Sequence, residues 1–123
     1  MSLHSTVAEA FSGHRFTDTY PHLAEDVIWV ARGQSTTVGR DAVIAACEAA
    51  SAELATMRTE FPTFRTVDGG DTLAVETVGR YIDTDGTSYV ASCDLYTFVD
   101  GRLARIVSYA VDVDDPDGHE RGR

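Results

Sequence analysis

The chain has 123 residues, 20 acidic and 10 basic, for a formal net charge of −10, and every basic residue is an arginine. That length suits one domain with a single core, and 43% apolar content against 24% charged excludes a disordered or fibrous chain. The acidity, with arginines scattered singly from Arg15 to Arg105, argues against a nucleic-acid or anionic-membrane partner. No stretch approaches the ~20 apolar residues of a membrane span. Met1 to Ala10 holds no apolar run like a signal-peptide core. Cys47 and Cys93 form no CxxC, so buried thiols in a cytoplasmic protein are expected. With no lysine, Schiff-base chemistry through a side-chain amine is impossible.

Residues 4–12 place Val7, Ala8, Ala10 and Phe11 at helical spacing, and Gly13 ends that helix. Thr17 to Leu23 reads as a second short helical turn with Pro21 near its start. Val27 to Ala31 (VIWVA) is a β-branched and aromatic strand, and Arg32 to Val38 is a loop or hairpin. From Arg40 to Met57 the residues Val43, Ala46, Cys47, Ala50, Leu54 and Met57 form one helical stripe. Four strands follow: Thr59 to Val67, Leu73 to Ile82, Ser88 to Val99 and Leu103 to Val113. The turns between them carry Asp68-Gly69-Gly70, Asp83 to Gly86 and Asp100-Gly101. This predicts an antiparallel meander within an α+β fold, a single domain over 1–113, and a charged, frayed tail from Asp114 to Arg123.

Strand alternation puts Ser92, Asp94, Tyr96 and Phe98 on one face. A carboxylate in mid-strand beside two aromatics is costly unless it is paired or protonated. Asp94 is therefore the first candidate for chemistry, as acid or base. The alternative is an outward placement, or a pairing with an arginine such as Arg80. Glu76 and Arg80 share a strand face with Ala74 and Val78, while Leu73, Val75 and Tyr81 form the more apolar alternate face. Glu76 is thus either a second cavity carboxylate or part of a solvated strand surface. Among His4, His14, His22 and His119 no HxH, HxxxH or HExxH spacing occurs, so no metal site is expected; His22 or His14 at a cavity mouth is a candidate general base. The cluster Asp112, Asp114, Asp115 and Asp117 resembles a cation site in composition only. No GxSxG, Walker loop or GxGxxG is present, and no cofactor is expected.

Three segments carry a family resemblance: HLAEDVIWV (His22 to Val30), VGRDAVIAA (Val38 to Ala46) and DLYTFVDGRLARIVSYAVD (Asp94 to Asp112). Over about residues 5–113 the chain resembles the ketosteroid-isomerase-like and SnoaL-like branch of the nuclear transport factor 2 superfamily. The resemblance implies a cone: a curved antiparallel sheet with the N-terminal helices on its concave face, an internal apolar cavity, and a homodimer through the sheet faces. It implies Asp94 as the catalytic residue, since an aspartate at the matching position projects into the cavity of ketosteroid isomerases and stays protonated there; that family is the standard example of a carboxylic acid kept neutral by an apolar site. It places Trp29 on the cavity wall with Phe11, Tyr20, Met57, Glu76, Tyr96, Ile106 and Ser108 as further lining residues.

The remaining isomerase machinery is absent. The usual aspartate base corresponds to Ala31, and the oxyanion-hole tyrosine to a position near Val7. The last aspartate of the related epoxide hydrolases corresponds to a position near Ser108. The resemblance therefore implies a proton-transfer isomerase, cyclase or dehydratase acting on an apolar carbonyl or polycyclic compound. A non-catalytic carrier or sensor of a small hydrophobic molecule is the alternative. A purely structural dimerisation domain using Leu95 and Tyr109 is a third.

Overall fold

In the computed structural model, residues 2–115 are described. Helix α1 (Leu3–Ser12) is followed by a 3-10 helix (Phe16–His22), strand β1 (Leu23–Ala31), strand β2 (Ser35–Val38) and helix α2 (Arg40–Leu54). Strands β3 (Arg58–Asp68), β4 (Thr72–Asp83), β5 (Gly86–Val99) and β6 (Arg102–Val113) complete the chain. The six strands form one curved, unclosed, mostly antiparallel sheet in the order β2-β1-β6-β5-β4-β3. With the helices it makes the cone-shaped α+β fold.

Three elements differ from the sequence reading. Strand β1 begins at Leu23, because Leu23 pairs with Leu103 before a bulge shifts the register to Ile28 and Arg105. Helix α2 stops at Leu54, and Met57 turns back to bond the Leu54 carbonyl on the way into β3. The sheet is not wholly antiparallel: β1 runs parallel to β6. The meander leaves one side of β6 unpaired, and β1 fills it. The chain between them, through β2, α2 and three strands, is long enough for a parallel connection. The segment 32–38 is a hairpin that returns as β2 beside β1. Of the expected tail, Asp114 and Asp115 follow β6; the rest lies outside the described residues.

The turn chemistry behaves as its residues dictate. Asp100 and Gly101 both take positive φ, 52° and 78°, as a two-residue hairpin turn of the right twist requires. The core lies between the helices and one sheet face. It contains Val7, Ala8, Phe11, Phe16, Leu23, Val27, Val43, Cys47, Leu73, Val75, Tyr96, Phe98, Leu103 and Ile106. The N-terminus of α1 is pinned to the β3–β4 turn: Ser2 caps the helix, and the Ser2 and Ser5 hydroxyls both donate to Asp68 at 2.9 Å. His4 stacks on Phe98 with ring centroids 4.0 Å apart. Anchored there, α1 crosses the sheet and delivers its last residues over the middle of β5.

Candidate functional site

Those last residues meet the mid-strand carboxylate. Ser12 Oγ donates to Asp94 Oδ2 at 2.7 Å, and Ser12 Oγ and the Tyr96 hydroxyl lie 2.5 Å apart. Tyr96 also reaches Asp94 Oδ2 at 3.4 Å. The hydroxyls therefore form a short relay onto one carboxylate oxygen. Among the described residues Oδ1 makes no hydrogen bond. Arg80, the alternative partner, is on the other face, bonded to Glu60 at 2.7 Å and to the Tyr89 hydroxyl at 3.2 Å.

Apolar groups surround this polar centre. Phe11 packs edge-to-face on Phe16, Trp29 and Tyr96 with centroids 5.1, 5.1 and 6.0 Å apart. Trp29 Nε1 donates to Ser108 Oγ at 3.0 Å, and Ser108 is the cross-strand neighbour of Asp94. Ile106 pairs with Tyr96 in the same ladder. Strand alternation, the β1–β6 pairing and the crossing of α1 thus bring Asp94, Tyr96, Ile106, Ser108, Trp29 and Phe11 to one place.

Of the other expected lining residues, Glu76 lies elsewhere, and Tyr20 packs against the same core as Phe11, Tyr96 and Ile106. Glu76 is on the opposite face of β4, 3.3 Å from Arg65, with half its side chain exposed. This corrects its assignment to the cavity: the period of two that turns Val75 and Thr77 inward turns Glu76 outward. Tyr20 donates to Glu48 at 2.9 Å, tying the 3-10 helix to α2. Burial, then that bond, pushes its hydroxyl pKa up to about 12. Met57 is half-buried in the turn after α2.

Two residues complete the site on the other side. Helix α1 ends with Arg15 N–H donating to the Ala10 carbonyl and His14 N–H to the Phe11 carbonyl, the paired bonds of a Schellman ending. The left-handed residue of that motif is His14, with φ 66°, and not Gly13. The turn swings the imidazole towards β4, where Nε2 lies 3.1 Å from the Tyr81 hydroxyl. Tyr81 lies over Gly79, where a β-carbon would come 2.6 Å from the tyrosine hydroxyl. The absent side chain is what makes room for the ring. His14 also lines an open cleft of about 300 Å³ with Gly13, Ser51, Leu54, Ala55, Thr59 and Phe61.

Electrostatically, burial acts most strongly on the cluster and Asp94 next. Burial lowers the His14 pKa, and Asp94 opposes that shift. Burial and then Asp94 raise those of Tyr81 and Tyr96. Cys47, fully buried, is pushed up to about 12 by desolvation and then by Glu48, and so is an inert thiol. Ser12 and Tyr81 were not anticipated as site residues. The tyrosine carried a signal, since it shares the apolar face of β4 with Leu73 and Val75; Ser12 carried none beyond its position at a helix end.

A larger open groove, about 430 Å³, lies on the outer sheet face, lined in part by Arg65, Val67, Glu76, Cys93, Tyr109 and Val111. Among the described residues no group of three or more His, Cys, Asp or Glu side chains is placed to hold a metal ion. No helix among them is long and apolar enough to cross a membrane.

The model of the SnoaL-like domain matches residues 5–106. A nuclear-transport-factor-2-like protein from Cytophaga hutchinsonii superposes with a TM-score of 0.78 at 24% identity, over 88% of this chain and 96% of that one. A protein from Xanthomonas campestris provisionally named a polyketide cyclase gives 0.69 at 20% identity, over 87% and 86%. One from Agrobacterium tumefaciens provisionally named an isomerase of the SnoaL-like family gives 0.66 at 19%, over 90% and 99%. No curated protein matches the chain. At these identities the solved structures speak for the fold, and the domain match covers most of the sequence: the chain belongs to the SnoaL-like family.

Proposed function

We propose that the protein is a small-molecule enzyme that moves a proton on an apolar carbonyl compound, in an isomerisation, cyclisation or dehydration, with Asp94 as the proton-transfer group. The observation that supports this is the mid-strand carboxylate beneath α1, held at one oxygen by Ser12 and Tyr96 and, among the described residues, without a hydrogen-bond partner at the other. Ala31 stands where related isomerases keep their base, so Asp94 takes that role. Its Oδ1 removes a proton from the carbon next to the carbonyl, and the C–H electron pair passes towards the carbonyl oxygen as an enolate. The relay on Oδ2 keeps the carboxylate in one orientation, which is what general-base catalysis needs. Trp29, partly buried and edge-to-face with Phe11, supplies a flat apolar contact for a ring system.

The test is exchange of the α-hydrogens of 2-tetralone in D2O, followed by proton NMR. The expected result is acceleration by the wild-type protein and a loss of ~10²-fold or more in Asp94→Asn. Equal exchange by the two proteins removes Asp94 from the role, and no acceleration by either removes the enzyme. Quenching of Trp29 by 2-tetralone without exchange would instead support a carrier, the reading favoured by the missing base at Ala31.

The same reading assigns the outer sheet face to a second copy of the chain. Its support is the exposed apolar set Val67, Leu95, Tyr109 and Val111. Sedimentation of the wild type as a monomer at high concentration would exclude this pairing.

A further inference from the structure

Burial along the inner sheet face changes at one row. Tyr96 and Ile106, partners across β5 and β6, are fully buried. The next inward pair in that ladder, Asp94 and Ser108, is only half-buried, and beyond it Ser92 is half-buried and Ala110 exposed. Asp94 and Ser108 thus stand side by side where the packed core gives way to a part of this face that solvent reaches. The accessible atom of Asp94 can be named. Its Oδ1 makes no hydrogen bond among the described residues, and the one buried side-chain nitrogen or oxygen without a partner there is on His14. Oδ1 is therefore in contact with solvent.

Ser108 is the immediate neighbour of that carboxylate. Residues directly opposite on paired strands hold their β-carbons about 4.5–5.5 Å apart, on the same face. A serine hydroxyl both accepts and donates. Trp29 Nε1–H fills the accepting role at 3.0 Å and fixes Oγ in place. The hydroxyl proton has no acceptor among the described residues. Ala31, the β1 partner of Ser108, offers only a methyl group and does not compete for it.

We infer that Ser108 is a second catalytic group, whose hydroxyl donates a hydrogen bond to the substrate's carbonyl oxygen while Asp94 takes the α-proton. The inference rests on the role proposed for Asp94. One ketone spans both groups, because its oxygen and its α-carbon are separated by the carbonyl carbon alone and the two side chains face each other across one strand pair. Trp29 is a positioning residue for this role: its N–H turns the Ser108 proton away from the indole and polarises the hydroxyl.

The step balances without a co-reactant. Asp94 Oδ1 forms a bond to the α-proton as the C–H bond breaks. That electron pair becomes the enolate double bond, and the carbonyl π pair moves onto oxygen. The Ser108 proton stays on serine and stabilises the resulting charge, as a donor already in place before it develops.

The test compares 2-tetralone with tetralin, the same ring system without the oxygen. Trp29 is the only tryptophan, so its indole N–H gives a single NMR resonance. A hydroxyl that donates to a ligand becomes a better acceptor. The indole proton should therefore move further downfield with 2-tetralone than with tetralin, and that difference should vanish in Ser108→Ala. In the exchange assay Ser108→Ala should lose ~10²-fold, mostly in kcat. Ser108→Thr, which keeps the hydroxyl, should recover most of the rate. Equal exchange by Ser108→Ala and wild type, a Ser108→Thr protein as slow as Ser108→Ala, or the same indole response to both ligands overturns the inference. Should Ser108→Ala not fold, the wild-type indole responses to the two ligands decide alone. Exchange that needs Asp94 but not Ser108 would sink this inference and leave the proposed function standing. An indole response specific to 2-tetralone that needs Ser108, with no exchange, would sink the proposed function and leave Ser108 as the donor to the carbonyl.

Discussion

The two faces of the β4–β5 pair are built from the same strands and have opposite characters. On the inner face Leu73, Val75 and Tyr96 are buried, and the polar atoms of Asp94, Ser12 and Tyr96 bond one another. On the outer face Glu76 meets Arg65 in water, beside the exposed Tyr109 and Val111. Both faces hold a carboxylate, and only the burial differs. A carboxylate in water is satisfied by solvent whether or not a partner is present. One beneath a helix must have its partners supplied by the fold. That is why the inner aspartate has an organised neighbourhood and the outer glutamate only a single long contact.

Substitutions can break this contrast in graded steps. The largest effect is expected from Tyr96→Ala, which empties the centre of the inner face. It should cost about 3–5 kcal/mol in denaturant unfolding, as for other large aromatic truncations. A loss below ~1 kcal/mol would mean that the inner face is not the core described. Ser12→Ala is the intermediate case. It removes the link of the relay and leaves a buried phenol and a carboxylate oxygen short of a partner, at a cost of about 1–3 kcal/mol. The smallest effect belongs to the outer face: Glu76→Gln should shift unfolding by less than ~0.5 kcal/mol, because exposed ion pairs contribute little. A larger shift there would mean that the outer face is covered in solution.

The chain-order elements were legible because their signals are local. Helical spacing marked α1 and α2. Aspartate-glycine turns marked the hairpins, and alternation placed Asp94 with Tyr96 and Phe98 and set Tyr81 with the apolar face of β4. The Glu76 assignment came from the family resemblance and failed against that same alternation, which had already placed it opposite Leu73 and Val75. The parallel pairing of β1 with β6 was not legible. Which strand fills a free sheet edge depends on where distant segments arrive, and no local pattern encodes that. Ser12 was obscured in a related way, whereas His14 was already a candidate as one of two histidines at a cavity mouth. A serine at a helix end is an ordinary surface residue by sequence.

By itself, then, the sequence determined the element types, the face on which each strand residue lies and the single-domain α+β class. It did so because backbone period and turn geometry are set within a few residues. Tertiary structure alone decided that α1 is pinned to the β3–β4 turn, so that its last residue reaches Asp94. It alone decided that the left-handed residue ending α1 is His14, turned onto Tyr81 through the space left by Gly79. Those contacts join residues more than sixty positions apart, and only the packing of a helix across a sheet brings them together.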